Sequence, residues 1–83
     1  MKRASDRRPN RNPIVEAFAA TFKDWRASSG KRLREVAADL DLSISIISEW
    51  ENGNRFPGVD HLWAVSKYTG IPAWRFLRPR AQA

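Results

Sequence analysis

The sequence predicts an all-α domain of five helices behind a disordered basic N-terminal tail. Three observations carry this. Apolar residues recur at helical spacing between successive turn signals, and those signals fall at Ser28-Ser29-Gly30, Asp41-Leu42-Ser43, Asn52-Gly53 and Gly70. The third is the stretch from Arg32 to Pro57, which reads as two short helices separated by a tight turn, the shape of a helix-turn-helix at about residues 32–52. The domain is expected over residues 13–78, with tails at 1–12 and 79–83.

Residues 1–12 are polar, broken by Pro9 and without apolar periodicity, hence disordered by expectation. They hold Lys2, Arg3, Arg7, Arg8 and Arg11 against Asp6 alone, so they supply four of the six net positive charges. Two readings stay open for them: a solubilising end, or an N-terminal arm on phosphates or in a minor groove. Asn12-Pro13 is a helix start, Asn as N-cap and Pro where its missing N–H costs nothing. The first helix should run to about Ser28 with Ile14, Phe18, Phe22 and Trp25 inward and Glu16, Lys23, Asp24 and Arg26 off that stripe.

In the second helix Leu33, Val36, Ala37 and Leu40 share one face, and it should stop near Leu40. Leu42 can bury in the angle that follows, and Ser43 can cap a third helix from about Ile44 to Asn52. Its inward side is Ile47 with Trp50, and Gly53 can take the left-handed conformation that ends it. After a turn at Asn54 to Gly58, a fourth helix to Thr69 should face inward through Val59, Leu62, Val65, Ser66 and Thr69, with Gly70 closing it. A short fifth helix follows Pro72, with Phe76 and Leu77 packing back. Trp63, Tyr68 and Trp74 exceed what so small a core needs; core filling is the plain reading, and an exposed Trp74 would suit a dimer contact.

The run from Ala37 to Pro57 resembles the Cro and lambda-repressor type (Xre-like) helix-turn-helix family, through Ala37, Leu40, Leu42, Ser43, Ile47, Ser48, Trp50, Glu51-Asn52-Gly53, Arg55 and Pro57. The likeness extends from about Phe22 to Leu77. It implies a lambda-repressor-like domain in which the third helix enters the major groove of double-stranded DNA, with Ile44, Ser45, Ser48 and Glu49 outward toward base edges. The same resemblance assigns phosphate contacts to Arg32, Leu33, Arg34, Ser43, Asn52, Asn54 and Arg55, and a homodimer interface to Trp74, Phe76 and Leu77. The chain departs from the family at Arg32, where Ser or Thr is usual as a cap, and at Leu33, often a phosphate-binding Gln. Lys31, Arg32 and Arg34 either replace that contact with charge or are ordinary surface cations.

The outward residues are unusual readers. Ser45 and Ser48 discriminate weakly, Ile44 could pack on a thymine methyl, and Glu49 could accept from cytosine N4. A lone carboxylate near phosphates weakens binding unless cytosine or a neighbouring Arg compensates, with Arg55 and Arg32 as candidates. Ile46 is also more apolar than an outward residue should be, so a second reading takes Ser43 to Ile47 as an apolar face for a protein partner.

Composition bounds the rest. Eighty-three residues allow one domain; a net charge of +6 and a pI near 10.8 favour a polyanionic partner. The absence of cysteine excludes disulfides and thiolate metal sites, and no apolar run has the length of a signal or membrane segment. His61 is the sole histidine and no phosphate loop or metal-ligand spacing occurs, which argues against an enzyme, a cofactor, a metal or a small-molecule ligand. The expectation is a sequence-specific DNA-binding transcriptional regulator, a repressor, in the cytoplasm of a bacterial or phage-infected cell. The alternative is a protein-interaction module derived from the same fold, antitoxin-like or a phage accessory protein.

Overall fold

The computed structural model describes residues 12–79. They form five helices and, among the described residues, no strand: α1 (Pro13–Ser29), α2 (Leu33–Leu40), α3 (Ile44–Glu51), α4 (Val59–Thr69) and α5 (Ala73–Phe76). The expected tail and its arm residues Lys2, Arg3, Arg7, Arg8 and Arg11 lie outside this range, as do residues 80–83.

Each helix start and stop has a local chemical cause. At α1, Asn12 Oδ1 accepts from the N–H groups of Ile14 and Val15, both at 2.9 Å, and Pro13 occupies the first position. At α2, Arg32 has no acceptor to offer. Glu35 answers instead, its carboxylate taking the Arg32 N–H at 2.7 Å, one half of a reciprocal capping box. At α3, Ser43 Oγ accepts from Ile46 N–H at 3.2 Å.

The two ends that frame the helix-turn-helix are alike. After α3, Gly53 adopts φ 76°, its N–H reaching the Trp50 carbonyl and Asn54 N–H reaching that of Glu49, a Schellman motif. After α2 the same pair of bonds runs from Asp41 to Ala38 and from Leu42 to Ala37. Here Asp41, a non-glycine residue, sits at φ 60°. Its short polar side chain makes that tolerable at a cost of about 1 kcal/mol.

The interior is an aromatic cluster centred on Phe18, whose ring meets those of Phe22, Trp50, Phe56 and Phe76 at centroid distances between 5.2 and 5.8 Å. Val36, Ala37, Ile47 and Val65 complete it, so every helix contributes. Trp50 is the largest side chain that α3 buries; its indole N–H finds no partner among the described residues, which the ring contacts offset.

Beside this cluster lies a contact the helical pattern did not predict. Arg26, at the end of α1, forks onto Glu51, at the end of α3, through Nε and through Nη2 at 2.9 Å, and its Nη1 also reaches the Lys31 carbonyl at 3.3 Å. The Glu51 side chain is 6 % exposed and that of Arg26 25 %. Hydrogen bonding to Glu51 holds the guanidinium more firmly protonated than usual, against the opposing effect of its burial.

Four expectations are corrected. Ile14 and Val59 were expected inward but are exposed, and Val15 takes the inward place on α1. Both exposed residues lie in the first turn of their helix, where a side chain tilts toward the N-terminus and here projects past the core. Phe76 packs back as expected and is wholly buried against Phe18, so it cannot also serve the dimer interface assigned to it; Leu77 beside it is half-buried. Leu33, expected on phosphate, packs its side chain against the core, so only its main chain could serve an anion.

Candidate nucleic-acid interface

A helix can read another molecule only if one side is held firmly and the other left open. In α3 the held side is Ile47, Trp50 and Glu51, all buried. Ile46 joins it, being partly buried against the core. The apolar run Ile44 to Ile47 therefore supplies no continuous outward face; Ile44 alone remains, 51 % exposed. The open side carries Ser45, Ser48, Glu49 and Asn52, at spacings of three and four that keep them on one surface.

These groups are partly pre-arranged. Asn52 Nδ2 donates to Ser48 Oγ at 3.4 Å, a long contact one turn apart. Glu49 does not stand alone: Arg55 Nε donates to its Oε1 at 2.6 Å. Of the two cations considered to compensate that carboxylate, it is Arg55 that does so. With side chains 44 % and 54 % exposed, the pair contributes little to stability, about 0–1 kcal/mol. Its importance is electrostatic, since the outward face presents a neutral pair where a bare carboxylate would repel phosphate.

Around this face, Arg32 and Arg34 are exposed on and beside the first turn of α2. Ser43, Asn54 and Arg55 are exposed at the two ends of α3. Ser43 spends its oxygen on the cap but keeps its hydroxyl hydrogen to donate. Lys31 instead pairs with Asp39 at 3.3 Å, and Tyr68 donates to the same Asp39 oxygen. Tyr68 first, then Lys31, hold the Asp39 carboxyl below its ordinary value, while burial and then the neighbouring Asp39 push the Tyr68 phenol up. This cluster ties α2 to α4 and removes Lys31 from the set of cations facing outward.

Nine cations and eight acids fall within residues 12–79, so the folded part is nearly neutral, and three of those cations are held in the ion pairs with Glu51, Asp39 and Glu49. His61 is exposed on α4, its ring 6.0 Å from that of Trp50, and among the described residues no group of acids and histidine could hold a metal ion. Trp63 and Trp74 are also exposed, Trp63 with the Lys67 ammonium 5.0 Å over its ring. Among the described residues no helix is long and apolar enough to cross a membrane.

The residues that sequence reasoning missed are Arg26 and Glu51. Glu51 belongs to the Glu-Asn-Gly run, yet its role depends on a residue 25 positions earlier, which no local pattern reveals. No curated protein and no solved structure matches the chain. Residues 22–73, more than half of it, match the helix-turn-helix family of the Cro/C1 type, a DNA-binding family that is typically non-enzymatic. The arrangement just described, an α2–α3 pair with α3 anchored on one side and polar on the other, is what that match covers, and the chain belongs to this Xre-like helix-turn-helix family.

Proposed function

We propose that the protein is a sequence-specific transcriptional regulator that occupies an operator, with α3 in the major groove and α2 against the backbone. The observation that carries this is the outward face of α3: Ser45, Ser48, Glu49 and Asn52 are polar, share one surface and surround no core residue. Ile44 opens that face and could pack on a thymine methyl group. Phosphates would be met by Arg32 and Arg34 on one side and by Ser43, Asn52 and Asn54 on the other, contacts that fix register without reading bases.

The folded part is so nearly neutral that most long-range attraction must come from the five cations before residue 12, acting as a phosphate-contacting arm. Occupancy rather than catalysis would be the mode of action, which makes repression by exclusion of a competitor the simplest outcome. A twofold dimer would raise affinity; Trp74, 58 % exposed, is the best-placed apolar group for it now that Phe76 is committed to the core. The operator would then be a near-palindrome with half-sites about 34 Å apart.

Selection from a pool of random duplexes tests this directly. A recurrent site with two half-sites, and an affinity that falls steeply with salt, is the expected result. Failure to enrich any duplex, together with loss of a protein partner on Ile44→Asp, would favour the interaction-module reading. That reading is weakened by the half-buried Ile46 and buried Ile47, which leave a single isoleucine to form the contact.

A further inference from the structure

The Glu49–Arg55 pair bears on which base pair the protein would prefer. Arg55 lies beyond the C-terminus of α3, on a loop that would ordinarily direct a long side chain into solvent. Its main chain is fixed on both sides. Asn54 before it is bonded through its N–H to the Glu49 carbonyl at 2.9 Å, and Phe56 after it packs on the Phe18 ring at 5.5 Å. Glu49 therefore clamps this loop twice, accepting the Asn54 N–H with its carbonyl and the Arg55 Nε–H with its carboxylate.

The consequence for Arg55 is directional. A guanidinium is planar and carries five N–H donors in a rigid fork. With Nε held at 2.6 Å from a carboxylate on α3, the group is drawn back from the loop onto the open face of the helix. Its Nη1 and Nη2 hydrogens have no partner among the described residues. Two such N–H groups match the O6 and N7 acceptors of guanine in the major groove. Glu49, with one oxygen committed and its charge neutralised, is a poorer acceptor for cytosine than its position alone suggests.

We propose that Glu49 is a positioning residue for Arg55, and that the pair reads a G·C step through guanine rather than through cytosine. This rests on α3 lying in the major groove. Arg55 thereby leaves the set of phosphate contacts and becomes the principal base-specific donor on a face otherwise furnished with serines and one isoleucine.

The duplex chosen by the wild-type full chain in the random selection is the probe. Because guanine and cytosine occur in the same pair, sequence preference alone does not separate the two readers; 7-deazaguanine does, since it removes the N7 acceptor and leaves the cytosine amino group intact. Replacing the selected guanine by 7-deazaguanine should weaken wild-type binding about 5- to 20-fold, within the range of one bidentate contact. Glu49→Ala and Arg55→Met should each bind the two duplexes within about 2-fold of one another, by the same contact's loss. Urea unfolding of both variants checks that they remain folded. A 7-deazaguanine duplex bound as well as the unmodified one, while Glu49→Ala abolishes the G·C preference, would overturn the proposal and make Glu49 the direct reader of cytosine. A selected site without a G·C pair whose preference depends on Arg55 would also overturn it. If the wild-type chain selects no duplex at all, the major-groove reading of α3 fails first and the proposal falls with it.

Discussion

Breaking the Arg26–Glu51 pair should be far more damaging from one side than from the other. The Glu51 side chain is 6 % exposed and that of Arg26 25 %, so the acid cannot find water when its partner leaves, whereas the base partly can. Arg26→Met keeps the aliphatic stem and strands a buried negative charge, for an expected loss of about 3–5 kcal/mol. Glu51→Gln keeps the shape and one acceptor, and Arg26 retains the Lys31 carbonyl, so about 1–2 kcal/mol is expected. Replacing both residues by methionine should be less harmful than Arg26→Met alone, because no charge remains buried without a partner.

Urea denaturation followed by far-UV circular dichroism and tryptophan fluorescence measures these differences, with thermal melts as a second reading. At about 5 °C per kcal/mol for a domain of this size, Arg26→Met should melt about 15–25 °C below wild type. DNA affinity should fall in parallel, since this pair joins α1 to the end of the helix proposed to enter the groove. The reasoning is refuted if the order of the two single variants is reversed, or if each is below about 0.5 kcal/mol and their effects simply add.

Three further outcomes are expected. Asp41→Gly should stabilise the domain by about 0.5–1 kcal/mol, because φ 60° strains a residue bearing a Cβ; a loss in urea unfolding would show that the aspartate contributes more than its conformation costs. Tyr68→Phe should destabilise the protein near neutral pH and not in strong acid. The Asp39 carboxyl is depressed by Tyr68 and Lys31, so its stabilising contribution is complete above the unfolded value of about 4 and is lost as pH falls through the lower folded value. The raised Tyr68 phenol contributes below about pH 10 and loses its contribution as pH rises through its folded value, so a wild-type advantage that is flat across pH would contradict both assignments. Deleting residues 1–11 should lower the slope of log affinity against log salt by about 2–4, as measured by fluorescence anisotropy, with an unchanged slope assigning the tail to solubility. The deletion must stop at Arg11, because Asn12 is the N-cap of α1.

By itself the sequence determined the elements and their punctuation. Asn12-Pro13, Ser43 and Asn52-Gly53 act through bonds to residues two to five positions away, so short-range chemistry is enough to predict them. The periodic faces led to Phe18, Phe22, Val36, Ile47, Trp50 and Val65, because a helix of this size can bury only one side. The helix-turn-helix family was legible too, through the run from Ala37 to Pro57, which lies within the residues that match it. What periodicity could not decide was how far the core extends along each helix. Ile14 and Val59 satisfy the pattern yet project past its edge, while Ile46 is covered by neighbours that only the assembled fold brings near. The same holds for charge. Arg26 with Glu51, Tyr68 with Asp39 and Arg55 with Glu49 meet because packed helices and an anchored loop carry them together, and an ion pair has no period by which to announce itself in a chain. Tertiary structure alone thus turned Glu49 from a solitary acid into half of a neutral pair, which is the difference between a face that repels nucleic acid and one that can approach it.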